Sequence, residues 1–355
     1  QIALRIDRGV TALFDGPARI ATVEPSRAGD RLHLDLEPGY FPLDKARELH
    51  RDLAARARLG SGFLDLATRV SPDYRALCGD IVHAVRGYRQ ALEEMPDDAD
   101  PARRAAFFDH VREIALGEWR QAWFAANALC RPLMDGDPEI LRATKRYTEI
   151  VVTREMLDGA IIHRSYTKPL GYPGDHRVMN MVYAQEILGD TPFARLAHIL
   201  GLDPAYCIHT RMKMVEADIR ALAQTAPASR PLRVANLGCG TAQETQNIAA
   251  DSGFNQPAHF TLIDQDDLAL AFAHRATRPG VAQPDRRLRI DALHSSFIDM
   301  MKAGRVFGTL PPQDFIFSVG LLDYLSAKRC RNLVEALYAQ LAPGGLLAVA
   351  NMKDG

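Results

Sequence analysis

Cysteine is scarce and scattered in this chain. Cys78, Cys130, Cys207, Cys239 and Cys330 are its five cysteines and none stands in a C-x-x-C pair. That excludes a disulfide framework and a zinc ribbon, and it fits a reducing compartment, with the cytoplasm as the expected location. Long apolar runs are lacking too: nothing reaches the length of a membrane span, and no signal peptide is visible, so no integral membrane segment is expected. An excess of one charge is also missing. Lys and Arg number 43 and Asp and Glu 44, a net charge of −1, which gives no long-range pull toward nucleic acid or an anionic surface. Internal repeats and low-complexity tracts are absent. What remains is a chain of 355 residues, 47% hydrophobic and 25% charged, an ordinary globular composition with room for two domains.

One stretch organises the rest. Arg233-Val234-Ala235-Asn236-Leu237 is a short apolar run, and it meets Gly238-Cys239-Gly240 before a polar, helix-compatible segment. One glycine lets the backbone turn off a strand, and the other lets a ligand approach the main chain where no Cβ stands. The helix that follows would aim free N–H groups at that ligand. Cys239 reads as a small residue that fits the turn. A second strand, Phe260 to Asp264, ends in a carboxylate roughly 25 residues on, the spacing at which a nucleotide-binding βαβ unit places its ribose acid. Leu288 to Ala292 is a third strand with Asp291 near its end, and Asp314 to Gly320 a fourth. Leu341-Ala342-Pro343-Gly344-Gly345 then turns into a fifth, Leu346 to Asn351.

This ordered set resembles the class I S-adenosylmethionine (SAM)-dependent methyltransferases over about the last third of the chain. The resemblance implies an α/β, Rossmann-like sheet and SAM as cofactor. It also implies donor contacts from Asn236, Gly238, Cys239 and Gly240 in the loop, Asp264 and Gln265 at the ribose, Asp291 and Ala292 at the adenine, and Ser318 and Gly320 beside the methyl. Two departures stand out: the family carries an acid where Asn236 stands, and often a glycine where Ala242 stands. The first removes a charged grip on the methionine amino group, and the second is mild on size grounds. The family's sheet continues past its fifth strand, so a chain running from Gln1 to Gly355 is expected to be a fragment or to lack later residues.

Before the sheet the patterning is mostly helical. Residues 1–40 read as a small β segment, a barrel remnant, with turns at Asp15-Gly16-Pro17 and Ala28-Gly29-Asp30 and a period of two over Arg31 to Leu36. Residues 41–225 read as a helical substrate and lid domain, and 226–355 as the SAM-binding core. Helices are predicted over Leu43–Leu59, from Ser71 to Arg89, over Ala105–Leu129 with Phe107, Val111, Trp119 and Trp123 on one apolar stripe, from Pro138 to Ile162, and from Asp203 to Ala223. The stripe is core, or an acyl-chain pocket on the same face. His163 to Asp175 breaks the pattern with two prolines and two glycines, yet it carries Tyr166, Lys168, Tyr172 and Asp175. That reads as a lid over the donor or a structural crossing loop. His209, Arg211 and Lys213 form a solvated basic face or help to neutralise a carboxylate.

Methyl transfer from a sulfonium needs alignment above all, and aromatic faces such as Tyr166, Tyr172 and Tyr324 would favour its charge by roughly 0.5–2 kcal/mol. No His-Asp pair that would serve as a base stands beside the fourth strand, and a carboxylate acceptor needs none, since it is already ionised at neutral pH. Ser318-Val319-Gly320-Leu321-Leu322-Asp323-Tyr324, with Lys168 to Asp175, is similar to a bacterial group of 3-hydroxypalmitic acid methyl ester synthases. That likeness implies esterification of a 3-hydroxy fatty acid, with Tyr172, Asp323 and Tyr324 as the catalytic residues and a fatty acid as partner. Asp323 could equally cap the next helix. Two other readings stay open: a methyltransferase acting on another small acceptor, and a non-catalytic regulator that binds SAM or, through its N-terminal β segment, a cyclic dinucleotide. That segment lacks an Arg-x-x-x-Arg signature, which favours a structural role.

Overall fold

The computed structural model describes residues 2–8, 11–24, 31–36, 63–95, 100–134, 136–227, 229–282, 287–296 and 310–351. It divides into two compact units, Gln1–Ser71 and Pro72–Gly355. In the first unit β1 (Ile2–Arg8), β2 (Thr11–Glu24) and β3 (Arg31–Leu36) form an antiparallel sheet in the order β1-β2-β3. The turn expected at Asp15-Gly16-Pro17 is not there: these residues lie within β2, paired with Arg5, Leu4 and Ala3 of β1. Pro17 is tolerated because pairing with β3 begins only at Ala18, so this part of β2 has a single neighbour. A short helix α1 (Phe63–Thr68) also belongs to this unit. The helix expected over residues 43–59 and the turn at 28–30 lie outside the described residues.

The second unit contains both the helices and the parallel sheet, so the boundary expected near residue 226 falls inside it. Helices α2 (Pro72–Glu93) and α3 (Pro101–Met134) come first, each longer than its apolar pattern predicts. The single helix expected over 138–162 is three pieces: α4 (Pro138–Val151), a 3₁₀ turn (Thr153–Met156) and α5 (Ala160–Thr167). The break at Gly159 has a packing reason, since a Cβ there would lie 2.7 Å from the backbone of Ala197. That close approach seats α7 (Pro192–Leu202) against α5, while α6 (His176–Ala184) lies between them in sequence. Helix α8 (Tyr206–Thr225) leads into the sheet. Val85, Val111, Ala115, Phe193 and Leu196 from α2, α3 and α7 make one buried cluster.

The sheet holds β4 (Leu232–Leu237), β5 (Ala258–Asp264), β6 (Leu288–His294), β7 (Gln313–Val319) and β8 (Leu341–Ala350), all parallel, in the order β6-β5-β4-β7-β8. The chain starts in the middle, works outward to one edge, then returns to the other side, which is the Rossmann-like α/β arrangement. Between strands lie α9 (Gln243–Ala250), α10 (Asp267–Val281) and α11 (Ala327–Ala339). One face packs Val234, Phe260, Phe315 and Phe317 under α8 and α9, and the other packs Ala235, Leu237 and Ile316 under α11. Each fully buried phenylalanine contributes about 1.5–3 kcal/mol. Two strand boundaries differ from expectation. Strand β6 runs on to His294, and the Pro343-Gly344-Gly345 turn lies inside β8 as a bulge, where pairing slips from Gln313↔Leu341 to Phe315↔Leu346.

Candidate functional site at the glycine loop

Strand order reverses between β4 and β7, and in open parallel sheets ligands bind beyond the carboxyl ends of the strands at that point. Gly238 (φ +68) and Gly240 (φ +52) turn the chain off β4. The N–H groups of Gly238 and Cys239 both donate to the carbonyl of Ile263, at 2.8 and 3.1 Å, and fasten the loop to β5. A Cβ at Gly240 would meet nothing within 4 Å, so the space in front of the loop is open. Ala242, at the start of α9, also adopts a left-handed backbone (φ +51). This corrects the expectation from size alone, because that conformation costs an L-residue roughly 1–2 kcal/mol that glycine avoids.

Asp264 closes β5. Its Oδ2 accepts the N–H of Gly240 at 2.9 Å and its Oδ1 that of Asp266 at 3.0 Å. Burial pushes its pKa up, and these two N–H groups oppose the shift. A cavity of about 740 Å³ opens over this carboxylate and the loop, with Asn236, Gly238, Cys239, Gly240 and Gln265 in its wall. Cys239 is buried, and burial raises its thiol pKa well above the ordinary value, so it is a packing residue and not a reactive one.

The irregular stretch expected from His163 begins only after Thr167, because His163 to Thr167 belong to α5. Tyr166 from the end of α5, with Lys168 and Tyr172 from the loop before α6, lines the cavity, as do Gly320, Asp323 and Tyr324 after β7. Tyr172 and Tyr324 meet edge to face with ring centroids 6.4 Å apart. The Tyr172 hydroxyl, however, donates to Asp266 Oδ2 at 2.8 Å. Burial and that carboxylate push its pKa up, so it latches the loop to the start of α10. Asp323 is exposed and does not cap α11, whose N-cap is Ser326.

Four expected contacts are placed elsewhere. Asp291 lies in the interior of β6, three residues short of its end, and does not line the cavity. It pairs with His259 Nε2 at 2.8 Å and Arg289 Nη2 at 2.9 Å, and these partners outweigh burial and lower its pKa. Its neighbour Ala292 likewise stays in the strand, opposite Leu262. Ser295, just past the end of β6, lines the cavity in their stead. Ser318 is buried and donates to the Leu237 carbonyl at 3.0 Å, joining β7 to β4. Asp175 is buried beneath the loop, caps α6 through the N–H groups of Arg177 and Val178, and is ion-paired with Arg164 at 2.7 Å. Burial alone would raise its pKa, but Arg164 and the two N–H groups hold it below the usual carboxylate range.

Two residues carry more than the sequence suggested. Glu244, in the first turn of α9, is buried, lines the cavity and accepts from Asn236 Nδ2 at 2.6 Å. Burial raises its pKa to about 7. Arg211 of α8 also lines the cavity, and among the described residues its Nε is buried without a hydrogen-bond partner. On the side of α3 and α4 the wall is made by Trp119, the partly exposed Trp123 and Val152, with Thr148, Glu149 and Thr153. These residues also border a second chamber of about 600 Å³ between α2, α3 and α4. Among the described residues no group of His, Cys, Asp and Glu could hold a metal ion, and no helix is long and apolar enough to cross a membrane.

No family model and no curated protein matches the chain. Among solved structures it is similar to the CurJ carbon methyltransferase, with 16% identity over 83% of this chain and 78% of that one at a TM-score of 0.37. It is similar as well to the CMeT domain of the citrinin polyketide synthase, at 14% identity, 86% and 77% coverage and a TM-score of 0.37. Against the methyltransferase domain of bacterial CtHen1 the figures are 19% identity, 36% of this chain and a TM-score of 0.28. There the chain spans just over half of that protein's length, 58%.

Proposed function

We propose that this chain is a SAM-dependent methyltransferase whose acceptor is the carboxylate of a fatty acid, with a 3-hydroxy fatty acid as the particular substrate. The observation that carries the reading is the continuity of the cavity. A single space runs from the open glycine loop and Asp264 to the side chains of Trp119 and Trp123, which it shares with the second chamber. The donor end fits SAM: a carboxylate for a ribose diol, a loop face with no Cβ in the way, and the buried Oδ1 of Asn236, which has no hydrogen-bond partner among the described residues. When bound, SAM supplies an electrophilic methyl on sulfur, and its transfer to a carboxylate oxygen makes one O–C bond, breaks one S–C bond and moves no proton.

The chain's own residues then orient and exclude water. Tyr172 and Tyr324 close the space over the loop, and Arg211 offers a cation beside Gly320 for the acceptor's carboxylate. No general base is required, which agrees with a site whose tyrosines are pushed away from ionisation by burial. The side chains of Trp119, Trp123 and Val152 and the second chamber behind them favour a long chain over a compact polar acceptor.

Calorimetry on Asp264→Ala tests the donor half: affinity for the donor should fall severely, and unchanged affinity would refute it. Labelled SAM incubated with a panel of fatty acids tests the acceptor half. Methyl ester from long-chain 3-hydroxy acids supports the reading. Label that goes only to other small molecules, or nowhere, leaves the other acceptor or the non-catalytic binder in its place.

A further inference from the structure

The resemblance to the methyltransferases implies an acid at the end of β4, and here that residue, Asn236, is a neutral amide. The charge is nevertheless close by. Glu244 lies eight residues on, in the first turn of α9, 4% exposed, with Asn236 at 2% exposure donating Nδ2 to its Oε1 at 2.6 Å. The Thr245 hydroxyl donates to the same oxygen at 3.3 Å. Both Asn236 and Glu244 face the cavity. No basic side chain is ion-paired with Glu244 among the described residues, and Asn236 keeps its Oδ1 buried with no donor. Arg211 and Lys168 line the same cavity, but among the described residues neither is paired with these two buried acceptors, which suits them to an incoming group with several N–H bonds and a positive charge.

We propose that Glu244, held in place by Asn236, receives the ammonium of the donor's amino-acid end, so that the acid missing from the strand is supplied by the helix. This inference rests on the SAM reading above and deepens it. A purely structural Glu244 would explain the Asn236 hydrogen bond, but not the outward-facing wall position or the idle Asn236 Oδ1. The other titratable and charged groups around it come from three elements. Glu216 and Arg211 are on α8, Tyr183 is on α6, and Cys239 is in the loop. Glu216 is itself engaged by Arg220 and Asn247, at 2.9 Å each. The one cation in this set, Arg211, is in no ion pair with Glu244. Glu244, raised to about 7 by burial, should therefore lose its proton when an ammonium arrives.

The test is calorimetry on the full chain with two probes. S-Adenosylhomocysteine carries the ammonium, whereas 5′-methylthioadenosine has the same adenosine and thioether without the amino acid. Glu244→Gln should weaken the first about tenfold or more and leave the second within about twofold. Returning the charge to the strand, in Asn236→Asp with Glu244→Gln, should recover most of the loss. The unmutated protein gives an independent reading: near pH 6.5, in buffers of different ionisation enthalpy, the first probe should release protons and the second none. The inference is overturned if Glu244→Gln binds S-adenosylhomocysteine like the wild type, if it loses both probes equally, or if the two probes release protons alike. A wild-type chain that binds neither probe refutes the SAM reading itself.

Discussion

The guanidinium of Arg211 stands where a side chain at residue 320 would be: a Cβ on Gly320 would lie 2.8 Å from Arg211 Nη2. Gly320 also has φ +90, a backbone that L side chains rarely adopt. The glycine after β7 thus serves both the turn and the entry of a cation into the cavity. If that cation anchors the acceptor's carboxylate, Arg211→Met should raise KM for a fatty acid about 30-fold or more, equivalent to roughly 2 kcal/mol or more for a lost charge-assisted contact. Affinity for S-adenosylhomocysteine should stay within about twofold. Steady-state kinetics with calorimetry checks both. A loss confined to S-adenosylhomocysteine would reassign Arg211 to the donor's own carboxylate.

Tyr172 and Asp266 make a second coupling. Asp266 caps α10 by accepting the N–H of Leu268 at 2.9 Å, and its other oxygen holds the Tyr172 hydroxyl. Tyr172→Phe should cost about 1 kcal/mol of stability, read from denaturant melts. Because the hydroxyl is a latch and not a base, the pH–rate profile should keep its shape. If the loop covers the donor, dissociation of S-adenosylhomocysteine, followed by stopped flow, should become about fivefold faster through loss of one such bond.

What could be read in the letters follows from how local each feature is. The glycine turn was legible because backbone geometry dictates its residue types, and Asp264 because it closes a short apolar run. The succession of five strands followed from the repeated strand-and-helix pattern, whereas their order in the sheet came only with the structure. Asp291 misled because alternation in a parallel strand does not mark where the strand ends, and its partner His259 is distant in sequence. Gly159 stands inside a helical pattern, and only the approach of Ala197 explains the break there. Glu244 was passed over because one acid in a polar first turn looks solvated. Its burial comes from Asn236 and from the packing of α8 and α6, which no window of sequence contains.

The raised pKa of Glu244 has a sign that can be checked on the unliganded chain. Its folded value of about 7 lies above the ordinary 4.5. The native state therefore holds the proton more tightly than the unfolded chain does, and the stabilisation is full below pH 4.5. It declines as pH rises through about 7, by about 3 kcal/mol in total. Glu244→Gln cannot titrate and keeps its hydrogen-bonding capacity toward Asn236. Urea melts at pH 5 and pH 8 should show the variant gaining on the wild type by about that amount at the higher pH. Equal pH dependence in the two would mean that Glu244 is not desolvated.

The second chamber gives a prediction about chain length. Ala126 of α3 faces that chamber and not the donor cavity, so Ala126→Phe should fill it without touching the glycine loop. If the acceptor's tail lies there, the variant removes room for several methylenes. Each buried methylene is worth about 0.8 kcal/mol, so excluding three or four should lower kcat/KM for a hexadecanoic acid by about 50-fold or more. An octanoic acid, whose tail ends sooner, should be turned over within about twofold of wild type. Competition between the two acids in one reaction, with the methyl esters separated and counted, measures the ratio directly. A parallel loss of both acids would mean that the substitution disturbs the helices, and an unchanged ratio would mean that the tail takes another path out of the cavity.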